Sequence, residues 1–252
     1  MVFKLIKKEL YEYQKTGKLI AIIITFLLFS IISPIIAKVM PEIVKSITPE
    51  VTIIVPPPTW KDAFLQFFKN MNQMVFLIVV LLFIGSIAEE KNRRTASLIV
   101  SKGVDRREWV LAKFIFQISL VTLLTLVSFC LCSYYSVMLF PETEIQTAFQ
   151  SCILFLIYMA FIISLTIFAS SLGNNTLQAG GIFISIFIIL VLLNMLPGIK
   201  SYNPIYLSSL ENQWITTGVN WTSATKTIAT TLALSILLIS AGIVLFNLQE
   251  LE

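Results

Sequence analysis

Charged residues along this chain are gathered into a few clusters. Between them lie five stretches with no charge at all: Leu19–Ala37, Asn70–Ala88, Phe114–Phe140, Ile145–Ile199 and Thr227–Gln249. A helix that crosses a bilayer takes about 20 apolar residues at a rise of about 1.5 Å each. The fourth stretch is too long for one crossing. It divides at Ser170-Ser171-Leu172-Gly173-Asn174-Asn175, a small, polar, glycine-containing run of the kind that ends helices. The pattern therefore predicts an all-α polytopic membrane protein. A single membrane domain over residues 1–252 holds six spans, at roughly 19–38, 71–89, 112–139, 147–170, 177–197 and 226–247.

Ahead of the first span, Val2–Lys18 carries a helical period instead of a solid apolar run. Val2, Phe3, Ile6, Leu10 and Tyr13 share one face, with Lys4, Lys7, Lys8 and Lys15 across from them. Such a segment is expected to lie in the headgroup plane as an elbow helix, with Gly17 allowing the bend into the first span. Bulky Ile35 stands two places before Ala37, where a cleavable signal would carry a small residue, so the first run is read as a retained span.

Composition agrees with this reading. Hydrophobic residues make up 57% of the chain, charged residues only 13%, and the mean hydropathy is +0.88. A soluble domain needs about 25% charged residues to wet its surface. With six spans, Lys and Arg divide twelve to six in favour of the side that holds the N-terminus and the second loop. The positive-inside rule then puts both termini in the cytoplasm. The net charge of +4 fits lysines facing anionic lipid, and no basic patch interleaved with aromatics points to nucleic acid.

The chain is poor in chemistry. It has no histidine, the commonest general base and metal ligand. Cys130, Cys132 and Cys152 fall inside predicted spans without metal-site spacing and are read as small packing residues. The spans are read as free of Asp, Glu, Lys and Arg, which argues against an ion-coupled carrier or an intramembrane hydrolase. No G-x-x-x-x-G-K-[ST] loop is present, so the energy for any work on a substrate has to enter through a partner. The chain is thus expected to be no enzyme, with no catalytic residue, cofactor or metal of its own.

The second loop is the most informative segment. It runs Glu89-Glu90-Lys91-Asn92-Arg93-Arg94-Thr95-Ala96-Ser97-Leu98-Ile99-Val100-Ser101-Lys102-Gly103-Val104-Asp105-Arg106-Arg107-Glu108-Trp109. It reads as a short helix carrying Leu98, Ile99 and Val100, a turn at Ser101–Val104, and a new helix capped by Asp105 with Glu108 three residues on. A few apolar side chains ringed by basic ones suit a docking element better than a solvated loop.

These residues resemble the first cytoplasmic loop of the ABC-2 permease family, the membrane subunits of one class of ATP-binding-cassette exporters. Family members carry an acidic-basic run, then a pattern matched by Thr95, Leu98, Ser101-Lys102, Val104, Arg106-Arg107-Glu108 and an aromatic at Trp109. Arg94 stands where glycine is usual and Gly103 where proline is usual. The resemblance also takes in the elbow, the six spans and the Pro197–Trp221 loop. It implies that Glu89–Glu108 forms a coupling element seated on a separate ATPase, with a second contact at Ser170–Thr176. The residues so assigned are Glu89, Glu90, Arg93, Arg94, Thr95, Leu98, Ile99, Ser101, Lys102, Arg106, Arg107, Glu108, Gly173 and Asn174. It further implies two copies of the ATPase, which would hold ATP and Mg, a second permease copy or paralogue, and a bacterial plasma membrane. The substrate class is an amphipathic molecule: a drug, an antimicrobial peptide or a lipid. Gln117, Thr122, Ser185 and Asn194 are candidates for lining the path or for gluing helices together.

Two external segments complete the picture. Lys38–Lys69 is expected to hold an extended piece stiffened by Pro56–Pro58, then an amphipathic stretch laying Phe64, Phe67 and Phe68 on the outer headgroups. Pro197–Trp221 is either a re-entrant pair of short helices or an interfacial helix with Trp214 and Trp221 as belt residues. The rival functional readings are a non-transporting scaffold or sensor subunit, and a channel-like pore.

Overall fold

A computed structural model describes residues 2–47, 57–95, 103–218 and 220–249. Among these all regular structure is helical. Helix α1 (Val2–Lys15) turns at Gly17 into α2 (Lys18–Ile47). Next come α3 (Trp60–Asn70), a π-helical turn (Met71–Val75) and α4 (Phe76–Phe83), then the short α5 (Ala88–Asn92). The long α6 (Arg106–Leu139) and α7 (Ile145–Leu172) follow, then α8 (Thr176–Asn194), the single turn α9 (Pro197–Lys200), α10 (Tyr206–Thr217) and α11 (Trp221–Leu248).

Among the described residues six segments are long and apolar enough to cross a membrane: Lys18–Val44, Trp60–Asn92, Arg106–Leu139, Ile145–Leu172, Thr176–Asn194 and Ala224–Leu248. They match the six expected spans in number and order. The boundaries differ most in the second, which begins at Trp60 because α3, the π turn and α4 run on without a gap. Phe64, Phe67 and Phe68 are consequently not laid on headgroups but fully buried. The Phe64 ring stacks on Phe129 of α6, and Phe68 lies against Phe155 of α7. Hydrocarbon gives helices no hydrophobic reason to associate, so interlocking of ring shapes carries this part of the bundle. The other half of that expectation changes too: α2 continues past Lys38 to Ile47, with Pro34 and Pro41 inside the helix. Membrane helices tolerate such prolines because neighbouring polar groups re-satisfy the backbone. Pro49 and Pro56 lie outside the described residues, while Pro57 and Pro58 precede α3.

Helix α7 is the axis. It packs on α11, α10, α6 and α8, and most of its apolar stretch is inside the bundle. Helix α8 is the opposite case, with Leu177, Ile184, Ile188, Ile189 and Leu192 facing outward. The Pro197–Trp221 segment forms two short helices, and α10 turns Leu207, Leu210, Glu211 and Trp214 into the core against α7 and α3. Of the two expected belt tryptophans, Trp214 is buried and Trp221 is exposed beside it, ring to ring at 4.8 Å. Cys132 and Cys152 are buried and Cys130 is exposed, all three as free thiols.

Candidate coupling site

Helix α1, the α5 end of the second span, the start of α6, the α7–α8 turn and the end of α11 meet at one end of the bundle. At their centre is an ion cluster. Lys113 of α6, only 1% exposed at its side chain, donates to Glu9 of α1 at 2.8 Å and to Glu90 of α5 at 2.6 Å. Lys8 donates to the same Glu90 oxygen at 2.7 Å and pairs with Glu12 at 2.8 Å. Lys113 also lies 4.9 Å from the centre of the Trp109 ring. Burial opposes the charge on Lys8, but Glu9, Glu90 and Glu12 outweigh it and hold the ammonium above its ordinary range. Burial, with Glu9 and Glu12 adding to it, raises the neighbouring Tyr13 phenol as well.

This cluster corrects one expectation. The spans are not free of ionisable groups, because Lys113 sits just inside the third, and Glu90 at the end of the second. On α1, Phe3 is 80% exposed and Leu10 exposed, while Tyr13 of the same apolar face points inward together with Glu9. A basic helix normally keeps its charges in water, but here the acids of α1 find buried lysine partners. Glu9, Glu12 and Glu90 stand close enough together to hold a cation, yet the two ammonium groups already occupy that role.

A second set of bonds ties the loop flanks to the remaining spans. The Ser170 hydroxyl accepts from the backbone N–H groups of both Ile87 and Ala88 at 3.0 Å, satisfying donors left free at the start of α5. Lys91 donates to the Ser171 carbonyl at 2.8 Å and to the Gln249 side chain at 3.0 Å. Arg106 donates to the carbonyls of Phe246, Asn247 and Gln249, and so caps the C-terminus of α11. A cavity of about 490 Å³ opens between α1 and the second span, walled by Glu12, Lys18, Glu89, Arg93 and the ion cluster.

The expected loop residues thus fall into two groups. Glu90, Arg106 and Gly173 face inward. Glu89, Arg93, Arg94, Arg107 and Asn174 are on the surface or at its edge, with Glu89 bonded to Arg93 at 2.6 Å. Thr95 donates to the Glu90 carbonyl, and Glu108 is half-buried beside Arg107 in the first turn of α6. Leu98, Ile99, Ser101 and Lys102 lie outside the described residues. Asp105 caps α6 as expected, accepting from the Arg107 N–H at 2.9 Å. Gly103 has φ +80, which proline cannot adopt, so the turn differs from one built on the family's usual proline. A side chain at Gly173 is excluded for another reason, since a Cβ there would lie 2.6 Å from the Ala179 nitrogen.

Sequence reasoning missed Lys8, Glu9 and Lys113, and placed Ser170 in the second contact without its bond to the start of α5. One signal was available for Lys113: it follows Arg106 by seven residues, two helical turns, and so shares its inward face. Of the expected lining groups, Gln117 is buried next to this site, and Ser185 is outward on α8.

The model of the ABC-2 family transporter protein family matches residues 61–248, about three quarters of the chain. The chain belongs to the ABC-2 transporter family. It is also similar to an uncharacterized transmembrane protein of Bacillus subtilis (strain 168), YxlG, at 23% identity over 178 residues, 69% of each chain. Family membership makes this chain a membrane component of an ABC transporter, a class whose transport subunits are not themselves catalytic and which associates with an ABC ATPase subunit. The Trp60–Leu248 bundle lies almost wholly inside the matched region, whereas α1 and α2 precede it.

Proposed function

We propose that this ABC-2 protein is the permease half of an exporter, and that the ATPase seats on the outward residues of Glu89–Glu108 and on Asn174. In this reading ATP and Mg are held by the ATPase, two copies of which serve a pair of permeases, and both permease termini are cytoplasmic. The cargo is an amphipathic molecule.

One observation supports this most: the flanks of the 89–108 segment are bonded to several other helices at once. Glu90 and Lys91 on one flank, and Arg106 and Lys113 on the other, reach α1, the α7–α8 turn and the end of α11. A push on the segment is therefore delivered to the bundle as a unit, which is what a motor-driven permease needs and a topological loop does not. Burial of the ions makes the joint stiff, because opening it would expose unpaired charge to low dielectric.

Co-expression with the ATPase tests this. The wild-type chain is expected to retain the ATPase through purification, and a Leu98→Glu chain to lose it while staying folded by thermal unfolding. Equal retention by the two chains would sink the docking claim.

A further inference from the structure

The opposite end of the bundle holds a polar site that coupling does not use. Helix α10 carries Glu211 into the core, fully buried, where its carboxyl accepts from the Asn72 amide at 2.8 Å. Asn72 belongs to the π turn, and such turns recur at functional sites because they displace a side chain from the helical register. With its Nδ2 committed to Glu211, the Asn72 carbonyl oxygen is buried without a hydrogen-bond partner among the described residues.

Asn72 is at the wall of a cavity of about 340 Å³, with Lys69, Gln73, Ser208, Ser209 and Asn212 around it. Among the described residues, the side chains of Lys69, Gln73 and Ser209 have no hydrogen-bond or ion-pair partner, so an ammonium, an amide and a hydroxyl are left uncommitted around one space. No carboxylate among the described residues lines it. Burial pushes the nearby Glu211 carboxyl up to about 8, against the Asn72 hydrogen bond, so it adds little negative charge at neutral pH.

Directly across Lys69 and Leu65, which border both spaces, is a cleft of about 310 Å³. Its walls include Ala37, Met40, Pro41, Pro57 and Pro58, and the acid among its described wall residues, Asp62, is taken up by Thr59. A donor-rich pocket and an apolar cleft thus share a single lysine.

We infer that these paired cavities bind an amphipathic anion, its phosphate or carboxylate head among Lys69, Gln73 and Ser209 and its apolar body in the cleft walled by Met40, Pro41, Pro57 and Pro58. Glu211 acts as a positioning residue that holds Asn72 at the pocket wall. This deepens the exporter reading by naming a class of molecule, and its test needs no ATPase, so either can fail alone.

The test uses the full chain in phosphatidylcholine nanodiscs with phosphatidylglycerol added in increasing fraction, the bound lipid being counted by native mass spectrometry. Inorganic phosphate without phosphatidylglycerol is the second arm, read by thermal shift. Lys69→Gln is expected to weaken phosphatidylglycerol retention by about tenfold, the usual scale for losing one charge-assisted hydrogen bond. Gln73→Ala should weaken it less, and Lys61→Gln, whose amine reaches the Thr216 carbonyl, not at all. A loss equal in Lys61→Gln and Lys69→Gln would reduce the effect to surface charge and overturn the site, as would no loss in either. Retention of phosphatidylglycerol without a response to phosphate supports the two-part ligand. Binding of inorganic phosphate as tight as that of the lipid would remove any role for the apolar cleft.

Discussion

Lys113 shows why single residues in this protein are hard to judge from their neighbours in sequence. It follows a basic cluster, so counting charges assigns it to the loop, yet the fold buries it between two carboxylates. Removing one partner of a buried ion pair leaves uncompensated charge and typically costs about 3–5 kcal/mol. Lys113→Ala is therefore expected to lower the unfolding temperature and folded yield severely, whereas Lys7→Ala, on the exposed side of α1, should leave both unchanged. Unfolding followed by intrinsic fluorescence in detergent decides between them. Glu211 gives a second residue-scale expectation. Its folded pKa, about 8, stands above the 4.5 of an ordinary carboxyl, so protonation favours the fold. That contribution is complete below pH 4.5 and is lost as pH rises to about 8, at up to about 1.4 kcal/mol per unit. Wild-type thermal stability should decline across that window by more than that of Glu211→Gln. Parallel pH profiles for the two would show the carboxyl to be ionised throughout.

At the scale of elements, what could be read in advance follows from the period of the signal. Each uncharged block announces a crossing because charge along a whole helix is costly in hydrocarbon, and among the described residues six helices long and apolar enough to cross stand in the expected order. Short elements carry no such constraint. The period of α3 could be satisfied by lipid headgroups or by rings from α6 and α7, and sequence does not say which surface arrives; Phe64, Phe67 and Phe68 went to the rings. The same indifference hid the inward turn of α10. The ion cluster was hidden because its members are 104 and 23 residues apart from Lys113 along the chain. The α7–α8 turn was legible for its small polar residues, but the reason for Gly173 is contact: the turn brings it onto the first coil of α8. Gly173→Ala is expected to force the two helices apart locally, costing about 1–3 kcal/mol in unfolding measurements. Gly180→Ala, which meets open space, serves as the control and should cost nothing.

For the molecule as a whole, the described flanks of the 89–108 segment, 89–95 and 103–108, have exposed side chains that a partner can touch and others that are bonded into the bundle. This division predicts two phenotypes where a simple docking loop predicts one. Arg107 is exposed and, among the described residues, its side chain has no bond to the bundle, its backbone N–H going to Asp105, whereas Arg106 spends its guanidinium on three carbonyls at the end of α11. Arg107→Glu should therefore release the ATPase, abolishing co-purification together with any cargo-dependent ATP turnover. Arg106→Ala leaves the outer surface in place but removes the three carbonyl bonds to the last span, leaving only the Lys91–Gln249 bond of the described residues to hold it to the segment. The ATPase should then stay bound and hydrolyse at its basal rate, while stimulation by cargo falls at least severalfold. Measuring retention and stimulated turnover on the same preparations separates the two. If both substitutions release the ATPase, Arg106 belongs to the contact surface and the bundle is not driven through its bond to α11. If neither alters stimulation, the motor acts elsewhere, and the buried ion cluster serves stability alone.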